Sequence, residues 1–305
     1  MQLPANIGKY ELIAPLGGGM AEVYRARDAS LGRMVAIKIL TEAAMADQEA
    51  HARFLAEARL TGSLTHENII GFYDYGEQEG RSFLVMEYFD GESLGAAIRS
   101  WRTGDLRNQL LIARQIAQGL AYVHSKGIIH RDVKPDNIWI DSTGKVKIID
   151  FGVAKTDEFS ITGAGFTLGT PYYMAPEQVR GDKPTVLVDI YSFGVLLFEL
   201  VTGIRPFEGQ TVNEIFDQVL HQALDLEPLK RTKIPDAVSD LIHGCTAKEW
   251  ISRTQDFSTV TGKIDEILRR MPERRTRRRW MWIAGGLILT ALAAATIYIV
   301  LRRYW

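Results

Sequence analysis

One cysteine, Cys245, stands among 305 residues, so no intramolecular disulfide can form and nothing ties the fold to an oxidising compartment. No charged-then-apolar leader opens the chain, so no secretory signal peptide is expected. No His/Cys spacing matches a zinc site. There is no internal repeat, and one arginine cluster is the sole biased tract. Most of the chain also lacks any basic excess. Removing the +6 of residues 269–279 and the +2 of Arg302 and Arg303 from the net charge of −1 leaves −9 on residues 1–268. That acidic balance argues against nucleic acid as the main partner.

With 46% hydrophobic and 24% charged residues, the chain is ordinary globular material with ample core. One stretch is different. Trp280 to Leu301 carries no charge, and at about 1.5 Å per residue it reaches roughly 33 Å, enough to cross a bilayer. Trp280 and Trp282 stand at one end and Tyr298, Tyr304 and Trp305 near the other, as interfacial aromatics do. A helix apolar on every face and flanked by arginines reads as a transmembrane span rather than a buried core helix. The expected layout is a basic juxtamembrane segment 269–279, a span 280–301 and a short C-terminal tail 302–305. The seven arginines of 269–279 precede the span, which places the N-terminal domain in the cytoplasm and the C-terminus outside a cell membrane. With about four residues beyond the span, no outer sensor domain is expected. The arginines read both as a stop-transfer cluster and as a dock for anionic headgroups, worth ~1 kcal/mol per residue near the surface. Gly286/Thr290 and Ala291/Ala295 place small residues four apart, the spacing through which two spans pack as a homodimer.

Residues 10–88 are mainly strand-like. Tyr10–Leu16, Ala21–Arg27 and Met34–Leu40 are β-patterned segments separated by glycines or polar turns. Ala43–Leu64 reads as one helix, and Ile69–Glu77 and Arg81–Tyr88 as two more strands. From Leu94 the pattern is helical: Asn108–Lys126 is amphipathic and stopped by Gly127, and Val188–Thr202 is apolar nearly throughout. A β-rich part followed by a larger helical part implies an α+β protein of two lobes, about 10–88 and 94–268, with a cleft between them, after an N-terminal tail 1–9.

The chemistry concentrates in His130-Arg131-Asp132-Val133-Lys134-Pro135-Asp136-Asn137, followed by Asp150-Phe151-Gly152. A hydroxyl acceptor needs a base, a phosphate needs a cation, and magnesium needs oxygen ligands; this stretch contains all three. Upstream, Lys38 closes the run Val35-Ala36-Ile37, and Glu57 follows 19 residues later in the expected helix. Alone, that pair reads as a surface salt bridge. Together with the two loops, it makes residues 10–268 resemble a eukaryotic-type Ser/Thr protein kinase. The Gly-Met-x-Glu-Val stretch and the C-terminal span make the chain most similar to the bacterial membrane-anchored members.

The resemblance implies the bilobal kinase fold, a small antiparallel sheet with one helix over a mostly helical lobe, and assigns roles. Lys38 would contact the α- and β-phosphates of ATP, and Glu57 would hold Lys38. Asp132 would be the catalytic base and Lys134 would neutralise charge on the transferred phosphoryl group. Asn137 and Asp150 would ligate Mg²⁺, with Mn²⁺ as an alternative hard cation. Val23 and Ala36 would sandwich the adenine, and the backbones of Glu87 and Phe89 would bond its edge. The glycine loop departs from G-x-G-x-x-G-x-V. Counted back from Val23, its three positions hold Leu16, Gly18 and Ala21; alternatively the loop is one residue short, and Gly17 and Gly19 serve. Trp139 stands where the family places a smaller apolar residue, and reads equally as a narrowed pocket or as core.

Residues 150–177 resemble an activation loop ending in Gly169-Thr170-Pro171-Tyr172-Tyr173-Met174-Ala175-Pro176-Glu177. Thr170 with Lys134 is the Ser/Thr-type arrangement. Ser160, Thr162 and Thr167 are phosphorylation candidates, with Thr162 or Thr167 favoured, and Arg131 and Lys155 would receive the phosphate. Asp189 would brace the catalytic loop, Glu177 would pair with Arg253, and His130 would be a packed core histidine. The expected activity is ATP-dependent phosphorylation of protein Ser and Thr hydroxyls, the activation loop included. A pseudokinase scaffold and a small-molecule phosphotransferase are the alternatives. The irregular glycine loop supports the first; the activation segment counts against the second.

Overall fold

The computed structural model describes residues 6–19, 21–151 and 171–272. The N-terminal half is a six-stranded antiparallel sheet in the order β1-β2-β3-β4-β6-β5. Its strands are β1 (Asn6–Ile7), β2 (Tyr10–Gly18), β3 (Ala21–Asp28), β4 (Arg33–Leu40), β5 (Phe72–Gln78) and β6 (Arg81–Glu87). Two residues of the expected tail thus join the sheet, and buried Ile7 packs beside Tyr10.

The period of two along β4 sorts its side chains. Val35, Ile37 and Ile39 enter a core with Tyr10, Tyr24, Phe83 and Val85. Ala36, Lys38 and Leu40 face the other way and line a cavity. The sequence pattern predicts one helix over Ala43–Leu64; there are two, α1 (Glu42–Ala46) and α2 (Gln48–Gly62). Asp47 makes the break. Its backbone is extended, and its carboxylate accepts from the N–H groups of Glu49 at 2.9 Å and Ala50 at 3.3 Å, capping a fresh helix. Likewise the strand expected from Ile69 begins at Phe72. Ile69 instead lies in a parallel bridge to Ile148, with the Ile70 N–H donating to the Ile148 carbonyl and the Ile148 N–H to the Asn68 carbonyl, and the Gly71 N–H donates to the Glu87 side chain.

The second half holds a three-stranded sheet of β7 (Glu92–Ser93), β8 (Ile138–Ile140) and β9 (Val146–Ile148), with helices α3 (Leu94–Arg99) to α10 (Phe257–Arg270). Among them, α4 (Leu106–Ser125) is capped by Asp105 and stops before Gly127, whose φ of +73° suits glycine. α6 (Leu187–Thr202) is buried along its whole length, as its nearly continuous apolar pattern requires. Its Val188, Tyr191 and Val195 pack with Tyr173, Met174, Phe207 and Val219. Met1–Leu268 is one compact unit and Arg269–Trp305 a second. The proposed span lies outside the described residues, and among the described residues no helix is long and apolar enough to cross a membrane.

Candidate active site: a nucleotide cleft

A cavity of 500 Å³ opens between the two lobes. Its roof is Leu16, Gly17, Gly18, Gly19, Ala21 and Val23; Ala36 and Lys38 form the back, Glu87 to Phe89 the hinge edge, and Trp139 and Asp150 the floor. The β2–β3 register resolves the glycine loop. Gly17 pairs with Val23 and Gly18 with Glu22, while an irregularity between Pro15 and Gly17 absorbs Leu16. The Gly19 N–H donates to the Ala21 carbonyl at 3.0 Å, closing the hairpin. The glycines therefore cover the cavity as a shortened hairpin, and a side chain at Gly19 would meet nothing within 4 Å. Trp139 is half-buried and lines the cavity, so it narrows the pocket rather than filling a core.

Lys38 stands between two acids. Its Nζ donates to Glu57 Oε1 at 2.8 Å and Oε2 at 3.0 Å, and to Asp150 Oδ1 at 3.0 Å. Burial pushes the lysine pKa down, but Asp150 and Glu57 outweigh it and hold the ammonium firmly charged. The acids divide. Burial raises Asp150, yet Lys38 wins and its pKa falls below the ordinary carboxylate value. Burial raises Glu57, which also faces the Asp150 charge, and Lys38 only partly offsets this. One lysine against two carboxylates leaves an excess of negative charge at the cavity floor.

Asp132 answers from the other side. It accepts from Lys134 Nζ at 2.8 Å and from Asn137 Nδ2 at 2.9 Å, and its charge acts on Asp150. The loop is held rigidly. Asp189 Oδ2 accepts the His130 N–H and Oδ1 the Arg131 N–H, each at 2.8 Å, which fixes Arg131 at a φ of +65°. Phe151 is buried among Leu64, Ile69 and Val123, with its ring 4.8 Å from the His130 ring, and this seats Asp150 in the cavity. His130 is the packed histidine expected. Glu177 and Arg253 form the expected pair: two bonds, 2.5 and 3.0 Å, wholly within the core.

Mg²⁺ fits the donors present. Asn137 Nδ2 donates to both Asp132 O and Asp132 Oδ2, so the amide is locked with Oδ1 turned from Asp132 as a hard-oxygen ligand. Asp150 keeps half its side-chain surface open, 49%, for a second. Among the described residues no trio of His, Cys, Asp or Glu makes another metal site.

Sequence reading missed Lys147. It sits in an apolar run on β9 and is 5% exposed. Its Nζ donates to Glu87 Oε2 at 2.7 Å and to the Ile69 carbonyl at 3.1 Å, tying the hinge strand to the segment that carries Asp150. The Glu87 N–H donates to Gly71, so Glu87 offers an adenine only its carbonyl. A charged residue in a β-run was the one available signal. Ser160, Thr162, Thr167 and Thr170, with Lys155, lie outside the described residues.

Residues 10–269 match the protein kinase domain family. The chain is 39% identical to a probable serine/threonine-protein kinase PknB of Lactococcus lactis, covering 83% of this chain and 41% of that protein. It is 39% identical to serine/threonine-protein kinase PrkC of Bacillus subtilis, covering 84% and 40%. It is 44% identical to serine/threonine-protein kinase PknA of Mycobacterium tuberculosis, covering 66% and 48%. It thus spans less than half the length of these curated relatives. Among solved structures, Rad53 1-466 in complex with AMP-PNP superposes with a TM-score of 0.70 at 28% identity, covering 84% of this chain and 64% of that one. A lysine held between two acids beneath a glycine hairpin, an opposing Asp-Lys-Asn loop and these matches meet in one conclusion: the chain belongs to the eukaryotic-type Ser/Thr protein kinase family.

Proposed function

We propose that this protein transfers the γ-phosphate of ATP to Ser and Thr hydroxyls of proteins, its own activation loop included, while anchored in a membrane by residues 280–301. The observation that carries the reaction is Lys38 fixed between Glu57 and Asp150, opposite Asp132. Phosphoryl transfer spreads charge over a loose transition state, so the protein's work is positioning and electrostatic stabilisation. The apolar walls Val23, Ala36 and Trp139 hold a purine plane, and Lys38 meets the phosphates from the back. Asp132, buried on most of its side chain and oriented by Asn137, takes the proton of the acceptor hydroxyl. Lys134, 2.8 Å from that carboxylate, offers its charge where the phosphoryl group arrives. Asn137 and Asp150 would hold Mg²⁺, which supplies charge neutralisation at the phosphate oxygens.

The decisive assay offers radiolabelled ATP with protein and with small-molecule acceptors. Label on protein, lost in Asp132→Asn, supports the reading; label on a metabolite alone rejects it; no label in either variant makes the chain a scaffold. Mass spectrometry of residues 152–170 tests self-phosphorylation. Membrane fractionation of the full chain against one lacking 280–301 tests the anchor, and a soluble full chain removes it. Crosslinking in membranes tests the homodimer, which exclusively monomeric protein would dispose of.

A further inference from the structure

Beside the catalytic loop lie four charges that phosphoryl transfer does not use. Glu199, in the last turn of α6, is 8% exposed. Its carboxylate accepts the Tyr173 hydroxyl and lies 3.7 Å from Arg205 Nε. Arg205 in turn covers the Tyr172 ring, 4.6 Å from its centroid. On the near side, Asp136 and Arg99 converge on Gly95. A methyl group there would lie 2.9 Å from Asp136 Oδ1 and 3.3 Å from Arg99 Nη1. Asp136 follows Asp132 by four residues and lines the nucleotide cavity, and both Asp136 and Arg99 act electrostatically on Glu199. The four charges therefore form one floor that starts at the reaction centre.

A peptide that brings a hydroxyl to Asp132 lays its neighbouring residues over this floor. Two acids, Glu199 and Asp136, would by themselves attract a basic side chain. At the Tyr172 end Arg205 reverses that. It stacks on Tyr172 and sets its cation against Glu199, which the Tyr173 hydroxyl already engages. Burial pushes the Glu199 pKa up, and Tyr173 and Arg205 oppose the rise, so the carboxylate is committed within its own chain. Arg205 is not consumed in the same way: 37% of its side-chain surface stays open. At its Tyr172 end the floor shows a substrate this cation, whereas the exposed Asp136 carboxylate lies at the end nearer Asp132.

We propose that Arg205 is a specificity-determining residue that excludes Lys or Arg from the substrate position crossing the Tyr172 end of this floor and favours Asp or Glu there. This rests on the protein-kinase reading above. Repulsion between like charges and attraction between unlike ones at such a contact change relative kcat/KM by about tenfold.

The test is a peptide set with one Thr acceptor, in which Asp, Ala or Lys is placed in turn at each flanking position. The same set is made with Ala replacing the acceptor, so that binding is read without turnover. The wild type should prefer Asp over Lys about tenfold at one position. Arg205→Ala should level that ratio, and Arg205→Glu should invert it, through KM rather than kcat. Arg205→Lys should retain it. Because each ratio is taken within one enzyme, a general loss of activity does not obscure it, and the Ala-acceptor peptides give the ratio even for an inactive variant. Equal Asp-to-Lys ratios in wild type and Arg205→Ala, by turnover and by binding, overturn the proposal. So does an Arg205→Ala defect that falls equally on every peptide, which marks Arg205 as a mere brace for Tyr172. Peptides that bind with the stated preference yet receive no phosphate count against the activity, not against the specificity.

Discussion

Two ion clusters, each joining remote parts of the chain, differ in nearly everything but chemistry. Arg253 and Glu177 are buried and doubly bonded, and the guanidinium's remaining donors go to the Leu187, Ala247 and Lys248 carbonyls. Lys38, Glu57 and Asp150 set one cation against two acids at the wall of an open cavity, with Asp150 half exposed. The first cluster is complete and holds the helical lobe together. The second carries surplus negative charge facing the space a metal and phosphates would enter. A saturated pair fixes structure; an unsaturated one stays available to a ligand.

The comparison breaks if the two clusters answer mutation alike. The largest effect belongs to the reaction centre: Asp132→Asn should lower phosphate incorporation by about 10²–10⁴-fold with the thermal midpoint little changed. Lys38→Met should act in the same direction, by kinetics and not by unfolding. Arg253→Met should do the opposite. It strands the buried Glu177 carboxylate and should cost about 3–5 kcal/mol of stability in urea titrations. A variant of Arg253 that stays fully stable but inactive would erase the distinction.

A third charged site sharpens it. Lys248 packs over Tyr191 and Phe207, and its Nζ donates to the Val219 carbonyl at 2.5 Å and to the Tyr191 hydroxyl at 3.1 Å, neither of which is an acid. Burial first, and then Arg253, pull its pKa down from 10.5 to about 8. Below pH 8 the ammonium is charged in the folded and unfolded chains alike, and its burial opposes folding. Between about 8 and 10.5 the folded protein releases a proton that the unfolded chain keeps, so stability rises with pH. Wild type should therefore gain about 1–3 kcal/mol relative to Lys248→Met across that window, read from paired denaturation curves. A flat difference would show the lysine to be better solvated than its packing indicates. The smallest effect is at the cavity floor. Trp139→Leu should raise KM for ATP by about 3–10-fold, the worth of one aromatic face, with kcat held.

The charged anchors were legible because each sits in a short motif or a patterned element. Lys38 ends a β-run, Glu57 lies on a helix, and Asp132, Asn137 and Asp150 share one local segment. The break at Asp47 was not, because a helical pattern continues across it and only the cap bonds reveal the restart. Nor was the Lys147–Glu87 bond, which depends on two strands 60 residues apart. Nor was the Glu199–Arg205 pair, since no motif joins the end of a buried helix to the base six residues on.

Residue order alone determined which side chains make up the candidate reaction centre, where strands give way to helices, and that an acidic domain precedes an arginine cluster and an apolar run. These are local properties, written in spacing and composition. Tertiary structure alone decided the register of the shortened glycine hairpin, the side of the sheet on which Trp139 lies, and which cation neutralises which acid. Those outcomes depend on distances between segments far apart in sequence, where Coulomb energy and burial compete and only the folded geometry settles the balance.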